Sequence, residues 1–408
     1  MLKVLAQSWP LLLGVMLLMV GNGVQGSLLG IRGALEGFST FDLSIVMSAY
    51  FVGFLGGSRL APEMIRRVGH VRVFSALGSM ISAVLVLYPM LVGVVSWSVM
   101  RILIGFCFSG IYVTSESWLN NTASNDTRGQ ALSAYMIVQM LGIIASQGLL
   151  SMGDPSGYGL FIIPSVLVSL AFMPMLLAKT PAPTFETIKP MSFGRIFRTS
   201  PLGCVGMLLT GGIYAAMFGM AAVWGAKTGL TIGQIAAYGG ALYVGGLVLQ
   251  YPVGYLSDRI DRRVLILWMS VGGAAVMAVA GLVVLPFNLI LVVSVLLGGT
   301  INPLYSLLIA HTNDFLAKEE MPAASSRLIF LNGFGAIFGP ISTGWLMEVV
   351  GASGYFLFIG VLFALLAGYS GWRMSQRLAP LDQSRYSGLT PTASPLAVGA
   401  VLEQDARR

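Results

Sequence analysis

Charged side chains are scarce in this sequence, where Asp, Glu, Lys and Arg together make up 10% of 408 residues. Hydrophobic residues make up 56%, and the mean hydropathy of +0.83 is far above that of soluble domains. Such a chain must bury most of its surface in lipid, where only helices and closed barrels satisfy the backbone. The apolar runs are about 20 residues long and do not alternate with polar residues, which selects helices. We therefore predict an all-α integral membrane protein.

Cysteine and histidine are also rare, with two of each in the chain. Cys107 and Cys204 lie inside apolar runs, so we predict neither a disulfide nor a metal site. The sequence contains no Gly-X-Ser-X-Gly, no His-Glu-X-X-His and no Walker loop. These absences argue against an enzyme and against a cofactor. The net charge of +7 does not indicate a nucleic-acid partner, because the basic residues lie in short loops beside apolar runs.

The apolar runs number about twelve and fall into two sets of six. A polar, proline-rich connection at 179–200 separates the sets and is predicted to be a cytoplasmic linker. We therefore divide the chain into an N-terminal six-helix half at 1–178, the linker, a C-terminal six-helix half at 201–377 and a cytoplasmic tail at 378–408, expected to be disordered. Lys and Arg concentrate in the loops of one side, with Arg32 and Lys227 as exceptions. The positive-inside rule then predicts that both termini are cytoplasmic.

The two halves carry a faint internal repeat. Asn120 and Asn313 end the fourth and tenth runs, and Gly142 and Gly335 lie in the fifth and eleventh. Both pairs are separated by the same interval, since 313 − 120 and 335 − 142 equal 193. A repeat of six helices predicts a binding site between the halves, near the middle of the membrane.

The densest charge cluster follows the eighth run and reads Gly254-Tyr-Leu-Ser-Asp258-Arg259-Ile-Asp261-Arg262-Arg263. It resembles the signature of the major facilitator superfamily, Gly-X-Leu-Ala-Asp-Arg-X-Gly-Arg-Arg, between the second and third helices of each half. Asp261 departs from it, standing where that signature has glycine. The resemblance implies an inner gate formed by Gly254, Asp258, Arg259, Arg262 and Arg263. The alternative is a plain basic turn that fixes the topology.

The equivalent loop of the first half keeps Arg67, Gly69 and Arg72 of this signature but has Arg66 in place of its aspartate. A gating role for the acidic position is therefore not carried over to this half. Arg128 and Asp314, at the ends of helices on the same side, are further candidates for the gate. The alternative for Asp314 is that it caps the end of its helix.

Arg101 lies several residues inside the fourth run, and Gly105 follows it by one helical turn. This pair resembles a second motif of the superfamily, Arg-X-X-X-Gly in the fourth helix. A charge inside the membrane is costly and by default functional, so Arg101 is our leading candidate for an anionic substrate group or for tuning a nearby acid. The alternative is an arginine that snorkels to the membrane surface.

Glu116 follows on the same run, about 22 Å further along a helix, too far to pair with Arg101. It is either a proton-coupling acid or part of the inner-gate network with Arg128. His311 is either a proton relay or a hydrogen-bonded packing residue. Three polar pairs at helical spacing either form hydrogen bonds between neighbouring helices or line a water-filled cavity: Asn22 with Gln25, Tyr135 with Gln139, and Asn302 with Tyr305.

Several segments together resemble the bacterial YcaD-like branch of the superfamily: Glu-Ser-Trp-Leu-Asn from Glu116, Tyr135-Met136, His-Thr-Asn-Asp from His311, and Gly-Ala-Ile-Phe-Gly-Pro from Gly335. The resemblance implies a multi-pass inner-membrane carrier for a small-molecule substrate, working by alternating access. We expect a monomer that is coupled to protons. An uncoupled facilitator or a drug or metabolite efflux carrier is the alternative within this class. A channel, a sensor and a membrane enzyme are the alternatives outside it.

Overall fold

The computed structural model describes residues 2–122, 128–177, 191–317, 320–376 and 388, and the side chains of all but a few residues at the edges of these ranges. All regular structure in these ranges is helical. The first half contributes α1 (Leu2–Leu35), α2 (Thr40–Val68), α3 (His70–Leu87), α4 (Val94–Thr122), α5 (Arg128–Met152), α6 (Gly159–Ala171) and α7 (Met173–Leu177). The connection contains α8 (Phe193–Thr199). The second half contributes α9 (Pro201–Lys227), α10 (Ile232–Ser257), α11 (Arg262–Leu282), α12 (Phe287–Asn313), α13 (Met321–Val350) and α14 (Gly354–Gln376).

Twelve candidate membrane spans arise from these helices, with α6 and the start of α7 sharing one span at Gly159–Leu176. The prediction of an all-α protein with about twelve spans in two six-helix halves is confirmed. The exact limits of the halves, the linker and the tail remain predictions. Residues 178–190 and, apart from Gly388, those after 376 lie outside the described residues.

Local chemistry sets where several helices begin. Ser39 and Thr231 each form a capping box at the start of α2 and α10, which satisfies amide groups that a helix start leaves free. Asp261 caps α11 by accepting a hydrogen bond from the Arg263 amide. This explains the departure from the signature, because Asp261 has a negative φ of −56° that needs no glycine. Gly69, at the equivalent turn before α3, has a φ of +86°, which favours glycine strongly.

Glycines let the helices approach closely in the same way in both halves. A Cβ on Gly53 or Gly105 would clash with backbone across the contact between α2 and α4. Gly245 and Gly298 make the same contact between α10 and α12. The glycine pair of the second half follows that of the first half by the repeat interval to within one residue, since 245 − 53 equals 192 and 298 − 105 equals 193. The repeat predicted from the sequence is therefore also a repeat of helix packing.

The halves meet along α2 with α13, α5 with α10, and α1 with α9. We call the end of the bundle with α8 the linker end and the opposite end the far end. At the far end, the Phe41 amide donates to Glu348 at 3.0 Å and Lys227 donates to Thr40 at 3.2 Å. At the linker end, the Arg59 guanidinium lies 4.7 Å from the centre of the Phe330 ring. The two halves are thus in contact with each other near both ends of the bundle.

Candidate functional site

A cavity of about 150 Å³ lies between the two halves. Helices α1, α2, α4 and α5 line it from the first half, and α9, α10 and α13 from the second. The lining combines the ring of Tyr50 and the amides of Asn22, Gln147 and Asn332 with the Arg101 side chain. This position between the repeats is where the sequence predicted a site.

Arg101 is held in place within the protein interior. It lies seven residues after Val94, the start of α4, and is 5% exposed. Its Nη1 donates to Oε1 of Gln25 at 2.8 Å, and its guanidinium carbon lies 4.8 Å from the centre of the Tyr50 ring. Its Nη2 contacts the Met47 sulfur at 3.4 Å. These contacts argue against an arginine that snorkels to the membrane surface.

Among the residues that the structure describes, none carries a charge that pairs with Arg101. Arg101 forms no ion pair with any residue that the structure describes, and its buried Nε has no hydrogen-bond partner there. A buried charge is costly unless it is paired, and a buried donor without an acceptor adds to that cost. A guanidinium also cannot readily lose its proton to escape this cost. The arrangement therefore leaves a positive charge at the edge of the cavity, together with a buried Nε that has no acceptor among the described residues.

A second layer of hydrogen bonds positions Arg101. Gln25 uses its Nε2 to donate to the Tyr88 hydroxyl at 3.1 Å, while its oxygen accepts from Arg101. The Tyr88 carbonyl in turn accepts from Nε1 of Trp97 at 3.1 Å. Gln25 is thus a support for Arg101 rather than a wall of the cavity. Asn22, its predicted companion, does line the cavity and donates to the Tyr112 hydroxyl at 3.3 Å.

Glu116 belongs to a separate buried cluster. Its side chain is fully buried and lies one helical turn beyond Tyr112, towards the linker end. Its carboxylate interacts electrostatically with Tyr112, with Tyr135 from α5 and with Tyr305 from α12. The cluster therefore combines side chains of both halves. Tyr112 links it to the cavity, because it also belongs to the cavity wall.

The remaining polar pairs lie outside the cavity wall. Gln139 is 6% exposed and does not line the cavity. Asn302 donates to the Gly298 carbonyl of its own helix at 3.0 Å and packs against Gly246 of α10. Asn302 therefore contributes to the contact between α10 and α12, whereas the other role predicted for it was to line a cavity. His311 is buried near the linker end, with its ring at 5.2 Å from that of Phe315.

The gate candidates of the second half lie together at the linker end. Arg262 is buried there and forms an ion pair with Asp314, the residue after α12. Asp258 is further away, 3.8 Å from Arg262, and its side chain is 43% exposed. The guanidinium carbon of Arg259 instead lies 3.4 Å from the centre of the Tyr255 ring. Gly254 is buried near the end of α10.

Arg263 of the same loop pairs with Asp261 at 2.6 Å. Burial alone would raise the pKa of the Asp261 carboxyl, but its hydrogen bonds to the Arg263 side chain and amide outweigh burial and lower that pKa. Asp261 is therefore ionised at neutral pH and holds the start of α11.

The gate candidates of the first half are more exposed. Arg67 and Arg66 both pair with Glu63, at 2.6 Å and 2.8 Å, on the protein surface. Arg72 is exposed near the start of α3. The side chain of Arg128 lies outside the described residues. His70, the first residue of α3, takes the place that Arg262 has at the start of α11, and it hydrogen-bonds to Ser117 at 2.9 Å.

Sequence reasoning missed most of the aromatic wall of the cavity. Tyr50, Tyr214, Phe218 and Tyr243 all line it, yet tyrosine and phenylalanine are common throughout such helices. The repeat could have found one of them, because Tyr243 follows Tyr50 by 193 residues (243 − 50). By the same interval, the repeat relates Asn332, which lines the cavity, to Gln139 (332 − 139).

Comparison with known proteins agrees with this architecture. The family described as Major Facilitator Superfamily matches residues 202–395. The uncharacterised MFS-type transporter YcaD of Escherichia fergusonii is 25% identical over 344 residues, which cover 83% of this chain and 88% of that protein. An uncharacterised MFS-type transporter of Yersinia pestis (strain Pestoides F) is 26% identical over 373 residues, covering 88% of this chain and 95% of that protein.

Two solved structures share the fold at 13% sequence identity. The nucleoside transporter NupG superposes with a TM-score of 0.75, covering 91% of this chain and 99% of the other. An inward-facing bacterial homolog of the human lysosomal transporter Spinster gives a TM-score of 0.70, covering 98% of both chains. These solved structures share the fold, and the family match at 202–395 with the similarity to YcaD along most of the chain confirms the predicted resemblance to the major facilitator superfamily of membrane transporters.

Proposed function

We propose that this protein is a secondary transporter that carries a small anionic solute across the bacterial inner membrane by alternating access. The observation that carries the proposal is the unneutralised charge of Arg101 at the edge of the central cavity. A negatively charged group of the solute would complete the hydrogen bonding of the guanidinium and remove the cost of its burial. Gln25 and Tyr50 would hold the guanidinium ready for that group, so little ordering would be needed on binding.

Alternating access is supported by the position of the cavity between two packed halves. The contacts that join the halves at the far end differ from those at the linker end, so each set can open while the other holds. In this scheme the loop with Asp258 and Arg262 would gate the linker end, which would face the cytoplasm together with both termini. The protein would act as a monomer.

Proton coupling is the second part of the proposal, and Glu116 is the group we expect to carry the proton. Its carboxylate faces tyrosines of α4, α5 and α12, and His70 of α3 contacts the neighbouring Ser117. A carboxyl shared by both halves would be dehydrated differently when the halves rock. Tyr112 would then connect the proton site with the solute site.

The test begins with a thermal-stability screen of the purified full-length protein against small carboxylates and their neutral amides. A ligand at 100 times its Kd stabilises the folded state by about 2.7 kcal/mol. We expect carboxylates to raise the melting temperature of the wild type and of the control Arg198→Ala, whose side chain is exposed in α8. Arg101→Ala should lose the effect, and Arg101→Lys should keep part of it, because lysine retains the charge without the planar fork.

Transport of a stabilising carboxylate is then measured in proteoliposomes. Saturable uptake with counterflow would support a carrier, whereas non-saturating flux would indicate a channel. Glu116→Gln should remove the dependence of uptake on a pH gradient while leaving counterflow, which needs no net proton movement. If Arg101→Ala binds and transports like the wild type, the site assignment is wrong. An unchanged response to pH in Glu116→Gln would contradict its role as the proton carrier.

A further inference from the structure

The second half contributes a continuous aromatic surface to the central cavity. The ring centres of Tyr214 and Phe218, one turn apart on α9, lie 4.6 Å from each other at an interplanar angle of 55°. Tyr243 from α10 follows, with its ring centre 4.6 Å from that of Phe218 at 35°. All three side chains line the cavity and are partly exposed to it. Such a surface offers faces and edges against which a further ring can stack.

The charged end and the aromatic end of the cavity belong to different halves. Arg101 lies over Tyr50 on the side of the first half, and Tyr50 interacts electrostatically with both Tyr214 and Tyr243. Tyr50 therefore connects the cationic pole with the aromatic surface. Among the described residues that line the cavity, Arg101 is the one ionised side chain, so the lining carries a single positive charge. That charge matches a monoanion.

The size of the cavity limits the apolar part of the solute. Its volume of about 150 Å³ equals that of an engineered protein cavity known to hold benzene. One six-membered ring with a small substituent fits such a space, whereas a solute with two separate ring systems would require it to widen. Gly26 of α1 lines the cavity and adds no bulk to it, because a Cβ at this position would meet nothing within 4 Å.

We infer that the transported solute is a small monocyclic aromatic carboxylate, with its carboxylate at Arg101 and its ring against Tyr214, Phe218 and Tyr243. This inference rests on the proposed function and specifies the class of its substrate. Asn22, Gln147 and Asn332, whose amides lie around the same cavity, would accommodate a polar ring substituent.

The test is equilibrium binding of three probes to the full-length protein in detergent. Benzoate has the ring and the charge, cyclohexanecarboxylate has the charge and a similar size without an aromatic face, and benzamide has the ring without the charge. We expect benzoate to bind most tightly. Phe218→Leu, which keeps an apolar side chain but removes the ring, should weaken benzoate binding by up to roughly tenfold. The same variant should weaken cyclohexanecarboxylate binding much less, because that ring has no aromatic face to stack.

Phe334→Leu is the matched control, because Phe334 is 44% exposed, lies outside the cavity wall and packs on Phe338. It should bind all three probes like the wild type. Melting temperatures of both variants without ligand show whether each is folded, and Tyr243→Leu replaces Phe218→Leu if the latter is not.

The possible failures separate the two proposals. Equal affinity for benzoate and cyclohexanecarboxylate, with both lost in Arg101→Ala, would overturn the aromatic class and retain the anion site. Binding of aliphatic carboxylates without binding of benzoate would do the same. Benzamide that binds as tightly as benzoate, with no effect of Arg101→Ala, would overturn the anion site itself.

Discussion

Arg262 and Asp314 form an ion pair in which each side chain keeps 1% of its surface exposed. The pair joins the first residue of α11 to the residue that follows α12, so it fixes two helix ends of the second half. The equivalent turn of the first half has His70 hydrogen-bonded to Ser117, a much weaker electrostatic tie. Among the described residues, the linker end of the second half thus has a buried ion pair, whereas that of the first half has the hydrogen bond at His70 and an exposed pair network at Glu63.

We expect Asp314→Ala to destabilise the protein by about 3–5 kcal/mol, because it leaves the Arg262 guanidinium buried without its carboxylate. Unfolding in denaturant, followed in detergent solution, measures this loss. Glu63→Ala is the control, since it breaks two exposed pairs and should change stability little. The double variant Arg262→Met with Asp314→Leu should recover most of the loss. Equal destabilisation by Asp314→Ala and Glu63→Ala would contradict the proposed importance of burial.

Asp258→Asn should behave differently, because Asp258 is exposed and lies 3.8 Å from Arg262, whose main partner is Asp314. Folding should be retained. We expect flux in proteoliposomes to slow severalfold while solute affinity stays near that of the wild type, because a gate charge is removed and no site contact is lost. Parallel measurement of binding and counterflow checks this. Normal flux at normal expression would show that the loop is a plain basic turn.

Asp261 should make the stability of the protein sensitive to acid. Its pKa is lowered in the folded state, so its ionised form stabilises the fold above the unfolded pKa of about 3.9. That contribution is lost as the pH falls through the folded pKa. Asp261→Asn keeps a capping oxygen but not the charge, and should lower stability at pH 7 by up to about 1 kcal/mol. The difference in melting temperature between wild type and variant should shrink as the pH falls below the unfolded pKa and vanish below the folded pKa. A difference that is constant with pH would exclude this role.

Gly105→Ala should affect both packing and the candidate site. A Cβ at this position would lie 1.9 Å from the carbonyl oxygen of Tyr50, so α2 must shift and carry the Tyr50 ring away from Arg101. We expect a lower melting temperature together with weaker binding of carboxylates. Gly272→Ala is the matched control, because a Cβ there meets nothing within 4 Å. It should melt like the wild type or slightly higher, since alanine favours a helix. If Gly105→Ala binds carboxylates with wild-type affinity, the close packing at Gly105 does not determine the geometry of the site.

The topology can be tested by single cysteines in sealed cells. Glu36→Cys lies at the far end and Arg198→Cys in α8 at the linker end. An impermeant thiol reagent applied outside should label the first and not the second, because the basic loops are predicted to be cytoplasmic. Cys107 and Cys204 are 2% and 0% exposed, so the native chain gives little background. Labelling at position 198 would show that the protein has the opposite orientation in the membrane.

The sequence predicted the twelve helices well, because lipid imposes length and apolarity on every span. It also located Arg101, since a charge inside an apolar run is conspicuous. It did not locate Tyr214 and Phe218, because a cavity wall and a helix contact use the same aromatic residues at the same spacing. Nor did it distinguish Asn22, which faces the cavity, from Asn302, which bonds within its own helix. Whether an amide faces the cavity depends on how its helix is rotated about its own axis, and the spacing of amides in the sequence does not determine that rotation.

The role of Asp261 could not be predicted from the sequence either. In the signature that this chain resembles, the position is a glycine, and the sequence alone showed only that Asp261 departs from it. The backbone instead adopts an ordinary conformation, and the carboxylate caps a helix. A residue pattern gives the identity of a turn residue, whereas its φ angle decides whether glycine is needed.

The one-sided charge of the cavity has an electrical consequence. Arg101 lies on α4, whereas Ser294, one repeat interval later (294 − 101), donates to the carbonyl of Tyr238 and carries no charge. With a monoanion at Arg101 and a proton on Glu116 as we propose, the loaded transporter carries no net charge at these two groups. The empty transporter, in which Arg101 is charged and Glu116 has released its proton, carries none either. A charge that crosses the whole membrane field gains or loses about 2.3 kcal/mol per 100 mV. A living cell would therefore drive this cycle through the solute and proton gradients and hardly through its membrane potential.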